Sequence, residues 1–327
     1  MSELKQALRD AYGEELVELG NIYPNLYVLD ADLTKSTKTE HFKKAFPERF
    51  INCGIAEGNM MSVASGISTC GNIVFASTFA MFAAGRAYEQ IRNSIAYPRT
   101  NVKIVATHAG LTVGEDGPTH QCLEDMALMR AIPGMMVISP SDATQTKAAL
   151  RFACEYQGPV YIRIGRLEVP VIYDESEYEY TPGCYNTIAQ GTNITIMYTG
   201  PFYNAAMEVR SILEKKNISV KVIDVPSIKP FASDAVKEAA MDTSMIVTLE
   251  DHNTVGGFGS AVCECLADLD LPQGTPNIKV LRLGAEDKFG TSGTPAEILK
   301  KYGLDAKSIV NRIIKAKYPE FEDELCD

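Results

Sequence analysis

The sequence predicts an α/β protein of two doubly wound domains, each a mostly parallel sheet covered by helices. Three observations carry this expectation. At 327 residues the chain is longer than one hydrophobic core usually grows, and two cores of roughly 150 residues each fit better. Hydrophobic residues make up 46% and charged residues 22%, ordinary for a folded chain and too apolar for a disordered one. Short apolar runs alternate with helical patterns from end to end, the signature of a parallel sheet buried on both faces.

Leu4, Leu8, Tyr12, Leu16 and Leu19 recur at helical spacing, and Gly20 is read as the stop. Then come a strand at 26–32 (LYVLDAD), a strand at 50–54, a helix from Glu57 to about Cys70, a strand at 73–77 and a helix from Phe79 to about Ala96. The alternation continues with a strand at 102–108, a helix near 123–131, a strand at 135–140, a helix at 142–156 and a strand at 160–164. From Leu167 to Cys184 it lapses into Pro, Tyr and acidic residues, as in a solvated linker. This assigns 1–168 to a first domain, 169–184 to a linker and 185–327 to a second domain. The second domain reads as strands at 193–200, 219–225, 244–250 and 278–284, with helices at about 202–215, 232–240 and 257–268 and on to about 316. The acidic tail PEFEDELCD is expected to fray.

No apolar run reaches the ~18 residues of a membrane span, and the start lacks the apolar stretch of a secretory signal, so a cytoplasmic protein is expected. Eight cysteines without a C-x-x-C pair read as reduced, buried thiols. The net charge of −11, with no basic cluster, excludes nucleic acid and anionic membranes as partners. A small anionic substrate stays open, because a few local Arg and Lys residues suffice for one phosphate.

In open parallel sheets ligands sit beyond the carboxyl ends of the strands, and the loops there are unusually polar: 30–36, 54–60, 77–82, 108–121 and 165–166. HAGLTVGEDGPTHQ (108–121) is long for a strand-to-helix connection. It can gather His108, His120 and Asp116 into a proton-handling group. Its spacing matches neither H-E-x-x-H nor a Cys/His finger, so no metal site is expected in this chain. On the residues alone, Glu57 reads as a helix-start acid favoured by the dipole. Phe79 and Phe82 read as core, and Arg166 as either a phosphate grip or a surface pair. VGGFGS (255–260) resembles half of a dinucleotide fingerprint but reads as tight strand–helix packing.

Taken together, INCGIAEGNM, ASTFAMFAAGRAYEQIR, HAGLTVGEDGPTHQ, SPSDA and YIRIGR resemble the pyrimidine-binding domain of the transketolase family. VTLEDHNTVGGFGSAV and DKFGTSGTPAEILKKYGL resemble the family's C-terminal domain, so the resemblance spans nearly the whole chain in order. Full-length transketolases resemble it only in their second half. Their first half carries a G-D-G, followed some way on by Asn, that holds magnesium and the cofactor's diphosphate; no G-D-G occurs here. The resemblance therefore implies the C-terminal subunit of a split transketolase. A separate N-terminal subunit would hold the diphosphate and Mg2+ or another divalent cation, in an α2β2 assembly.

The resemblance also implies roles. Glu57 matches the glutamate that hydrogen-bonds N1′ of the aminopyrimidine of thiamine diphosphate; a carboxyl shielded from water can share its proton with that nitrogen. Phe79 and Phe82 match aromatic residues enclosing that ring, while a third aromatic is replaced by Gly85 and a bulkier polar residue by Gly58. Asp32 lies in the D-L-T segment near the thiazolium. His108 and His120 match substrate-facing histidines that move protons, Asp116 an acid contacting a donor hydroxyl, and Arg166 and Ser36 phosphate-contacting positions. The implied reaction is transfer of a two-carbon ketol unit from a ketose phosphate to an aldose phosphate. The alternatives are a beta-type subunit of another thiamine diphosphate enzyme, akin to deoxyxylulose phosphate synthase or a 2-oxo acid dehydrogenase, and a non-catalytic assembly subunit.

Overall fold

The computed structural model describes residues 4–272, 277–319 and 321. Fourteen strands are described: β1 (Lys5–Ala7), β2 (Leu26–Asp30), β3 (Phe50–Asn52), β4 (Ile73–Phe79), β5 (Val102–Thr107), β6 (Met136–Ile138) and β7 (Val160–Arg163) in the first half. They continue with β8 (Glu168–Pro170), β9 (Asn186–Ala189), β10 (Ile194–Tyr198), β11 (Val220–Asp224), β12 (Ser227–Lys229), β13 (Met245–Leu249) and β14 (Lys279–Leu283). The two larger sheets run β12-β6-β7-β5-β4-β2-β3 and β14-β13-β10-β11-β9. Every described pairing in them is parallel except the two edges, β12 on β6 and β9 on β11. The architecture is the expected pair of α/β domains. The apolar runs form central strands because both faces are covered: every residue of β4, β5, β7, β10, β11 and β13 is buried.

The strands β1, β8, β9 and β12 escaped the sequence reading, and each pairs with a segment remote in the chain. β12 comes from the second half of the chain yet completes the first sheet. One core cluster accordingly runs through both halves, joining Val137 and Tyr161 to Met197, Ile223, Val225 and Ile228. β1 pairs with β8 across more than 160 residues of chain.

The first helix is Leu8–Ile22, so Gly20 does not stop it. Leu4 precedes it and is exposed. Gly20 instead lies under two rings: a Cβ there would sit 2.4 Å from Phe46 Cε2 and 2.7 Å from Phe42 Cε2. The segment expected as one helix from Phe79 is also different. β4 continues through Phe79, and π-helical stretches Phe82–Arg86 and Ile91–Ala96 flank the short α-helical turn Tyr88–Gln90. Ala83, Ala84, Gly85 and Ala87 offer no bulk to oppose the wider turn, and such turns gather at functional sites.

The linker is less solvated than expected. Val169, Pro170 and Tyr180 are buried. Tyr173 Oη donates to Asp224 (2.6 Å), and Tyr180 Oη to Ser227 Oγ (3.1 Å). The thiols are free, but only Cys122 and Cys154 are buried among the described ones, and Cys70 is exposed; it lies beyond the helix end at Ser68. Cys326 and the tail beyond Phe321 lie outside the described residues. No described helix is long and apolar enough to cross a membrane.

Candidate active site

The carboxyl ends of β2, β4 and β5 open onto one cleft of about 320 Å3, whose lining includes Asp32, Leu33, Ile55, Glu57, Phe82, Arg86 and His120. Two residues just past these strands hold left-handed backbones, Asp32 (φ 68°) and His108 (φ 56°). Such conformations are uncommon outside glycine and gather at functional sites. Asp32 is exposed and accepts from Asn52 Nδ2 at 2.9 Å.

Glu57 opens the helix Glu57–Ser68, where the unpaired amides and the dipole favour an anion, and is only 4% exposed. Its Oε1 accepts from Arg86 Nη1 at 3.3 Å. The Arg86 guanidinium lies over the Phe82 ring, 4.3 Å from its centroid. Gly58 makes room for a neighbour: a Cβ there would stand 3.1 Å from Gln90 Oε1.

The rings form one stack. His108 lies on Phe79 at 3.9 Å between centroids, Phe79 on Phe82 at 5.8 Å, and His120 meets Phe82 edge-on at 5.4 Å and Phe79 at 6.1 Å. The loop therefore brings both histidines to the two phenylalanines. His108 is 3% exposed, and its Nε2 lies 3.3 Å from Arg9 Nη1. A guanidinium only donates, so Nε2 accepts, the ring proton is assigned to Nδ1, and Nδ1 donates to Thr107 Oγ1 at 3.0 Å. Burial above all, then the positive Arg9 and Arg166 and His120, push the His108 pKa down to about 3; the imidazole is neutral at physiological pH.

Arg9 was missed because it sits in an ordinary amphipathic helix, and nothing local marks its distant partners. It also donates to Ser36 O at 3.3 Å, which ties half-buried Ser36 to His108, and its Nε is buried without a hydrogen-bond partner among the described residues. Arg166 Nη1 donates to Val113 O and to Glu115 Oε2, the latter at 3.0 Å. Asp116 stands exposed at the end of the 3-10 stretch Leu111–Asp116. Arg86 was missed as well, although its place four residues after Phe82 is a usable signal on a helix.

The second domain supplies the clamp. Asp251, 1% exposed, accepts from Leu111 N (2.6 Å), Thr112 N (3.2 Å) and Thr112 Oγ1 (2.5 Å), and its own carbonyl accepts from Arg163 Nη2 (2.6 Å). Gly110 (φ +86°) is required where it is, since a Cβ would come within 2.2 Å of the Asp251 carboxyl. Gln121 Nε2 donates to Leu111 O and Thr291 O, both at 3.0 Å. In VGGFGS the amides of Phe258 and Gly259 donate to Glu250 at 2.6 and 2.8 Å. The chain's own carboxylate thus fills that helix N-terminus, and a Cβ on Gly259 would strike Thr248 Oγ1 at 2.6 Å. Among the described residues no group of three or more His, Cys, Asp or Glu is placed to hold a metal ion.

Comparison with known proteins matches residues 5–171 to the model for "Transketolase, pyrimidine binding domain" and residues 183–309 to "Transketolase, C-terminal domain". A Methanocaldococcus jannaschii protein provisionally named a transketolase C-terminal section is 48% identical over 316 residues, 96% of this chain and 98% of that protein. An apulose-4-phosphate transketolase subunit of Phocaeicola vulgatus is 34% identical over 303 residues, 93% of this chain and 95% of that one. A solved split-gene transketolase, an inactive beta4 tetramer, superposes with a TM-score of 0.86 at 49% identity, covering 95% of this chain and 98% of its own.

Proposed function

This chain belongs to the transketolase family, and we propose that it is the C-terminal subunit of a two-chain transketolase that moves a two-carbon ketol unit from a ketose phosphate to an aldose phosphate. The observation that carries the reading is Glu57, a buried carboxyl in the wall of a cleft beside the Phe82 ring. That arrangement fits the aminopyrimidine of thiamine diphosphate, on which the family depends: Glu57 would hydrogen-bond its N1′ and the Phe82 ring would pack against the heterocycle. When bound, the cofactor supplies the nucleophilic thiazolium carbon. Among the described residues no group of three or more His, Cys, Asp or Glu is placed to hold a cation beside the cleft. In this reading a separate N-terminal subunit holds the diphosphate together with Mg2+. A relative of nearly the same length named as one subunit of a transketolase, and a related chain forming an inactive beta4 tetramer, support that division.

The remaining residues take substrate roles in this reading. Arg9 and Arg166 both act on His108 electrostatically, and with Ser36 beside Arg9 they make a positive corner suited to a sugar phosphate. Neutral His108, whose uncharged imidazole can both accept and donate, and the more open His120 hold substrate oxygens and move protons in this reading. Asp32 lines the cleft and exposed Asp116 ends the 3-10 stretch of the histidine loop; in this reading they contact the cofactor's edge and a donor hydroxyl, respectively. A cytoplasmic place in pentose phosphate metabolism belongs to the same reading.

The test mixes the chain with its G-D-G-bearing partner, Mg2+, thiamine diphosphate and a ketose/aldose phosphate pair. Glu57→Ala is expected to leave the subunits associated while turnover falls by roughly 100-fold or more. Near-normal turnover in that variant would overturn the catalytic reading in favour of an assembly subunit. Turnover with pyruvate in place of the ketose phosphate would favour a different thiamine diphosphate enzyme.

A further inference from the structure

Glu57 and Phe82 already have an occupant. The Arg86 guanidinium makes, in the same cleft, the two contacts just assigned to the aminopyrimidine: an N–H edge to Glu57 Oε1 at 3.3 Å and a planar cation over the Phe82 ring at 4.3 Å. Guanidinium and aminopyrimidine are both flat, nitrogen-edged groups that stack on a phenyl ring and hydrogen-bond a carboxyl, so they compete for one carboxylate oxygen and one aromatic surface. We infer that Arg86 is a built-in placeholder for the cofactor's ring, occupying the Glu57 carboxylate and the Phe82 face in the wall of the cleft until the heterocycle displaces it. This rests on the proposed function, because it takes the aminopyrimidine as the incoming group.

Three features suit Arg86 to that task. Its side chain is 56% exposed while that of Glu57 is 5% exposed, so the arginine can swing into water whereas the carboxylate cannot follow. A buried carboxylate stripped of its partner is costly, which gives the cofactor-free chain a reason to keep a cation there. An ion pair with one partner this exposed is weak, so the placeholder yields to a ligand anchored elsewhere by its diphosphate.

Calorimetry of thiamine diphosphate binding, in the presence of Mg2+, to the assembly reconstituted with the G-D-G-bearing subunit tests this. Wild-type chain, Arg86→Ala and Arg86→Lys are compared at subunit concentrations where sedimentation shows full association and melts show intact folding. Arg86→Ala is expected to tighten binding by roughly tenfold, equivalent to about 1.4 kcal/mol. Arg86→Lys should fall between, since a lysine pairs with the carboxylate but does not stack as a plane. Unchanged or weaker binding in Arg86→Ala overturns the placeholder and leaves the cofactor reading intact. No uptake by any of the three assemblies overturns both.

Discussion

Asp251→Ala removes the carboxylate that fastens the histidine loop to the second domain. Two backbone amides, Leu111 N and Thr112 N, and the Thr112 hydroxyl lose their acceptor, and Leu111 and Thr112 are 0% and 1% exposed, so water does not replace it in the closed state. Each orphaned buried donor costs about 1–3 kcal/mol. Part of that sum is offset because burial already disfavours the charged carboxylate, whose pKa is raised chiefly by desolvation against the pull of Arg163, Thr112 and Leu111. A net loss of about 2–5 kcal/mol in local stability follows, and at about 1.4 kcal/mol per decade the loop should open roughly 30- to several-thousand-fold more often. Hydrogen exchange followed by mass spectrometry on peptides spanning 108–123 reads this directly, with peptides from β5 as the internal control. Turnover of the reconstituted enzyme should fall with it, since the loop carries both His108 and His120. Unchanged exchange across 108–123 would show that the loop holds its shape without Asp251 and would refute the clamp.

Two further outcomes follow from single contacts. In 13C- or 15N-detected titrations the His108 ring should stay neutral from pH 8 to below pH 5, and a transition near 6.5 would contradict its burial. Because its folded pKa of about 3 lies under the unfolded value near 6.5, only the unfolded chain takes up that proton between these values, so stability from this group is present above pH ~6.5 and is lost on acidification. Urea melts should show His108→Asn losing about 2 kcal/mol less than wild type between pH 7 and pH 5. Gly20→Ala should destabilise by about 1–3 kcal/mol, because a Cβ would meet the rigid rings of Phe42 and Phe46 well inside contact distance; a melting midpoint indistinguishable from wild type would mean the rings move aside freely.

The sheets were legible because their strands are short, continuous apolar runs, and burial on both faces requires that composition. What stayed hidden depends on partners remote in the chain. Ser227-Ile228-Lys229 has no strand signature of its own and becomes a strand only because β6 offers it an edge. Gly20 looked like punctuation because the rings of Phe42 and Phe46 that need its missing side chain lie more than twenty residues away. At the site the two histidines could be singled out from one long loop, whereas Phe79 and Phe82 read as core on their own and only the family resemblance gave them a site role. Arg9 could not be read the same way, since the meaning of an arginine lies in the group it reaches; for Arg86 the only local signal is its place four residues after Phe82.

The clamp and the placeholder divide the work between the domains. Every side chain of the ring stack comes from the first domain, yet the loop that carries His108 and His120 is held at Leu111 and Thr112 by an acid from the end of β13's segment and at Gln121 by Thr291. Arg163 bridges the two, pairing with Asp125 at 2.9 Å on one side and the Asp251 carbonyl on the other. Separating the domains would break the hydrogen bond from Arg163 to the Asp251 carbonyl while leaving the pair with Asp125 inside the first domain, so Arg163 contributes one charge-assisted hydrogen bond to the seam. The second domain thus bears on the cleft without reaching it: it holds in place the loop that carries both histidines against the phenylalanine rings.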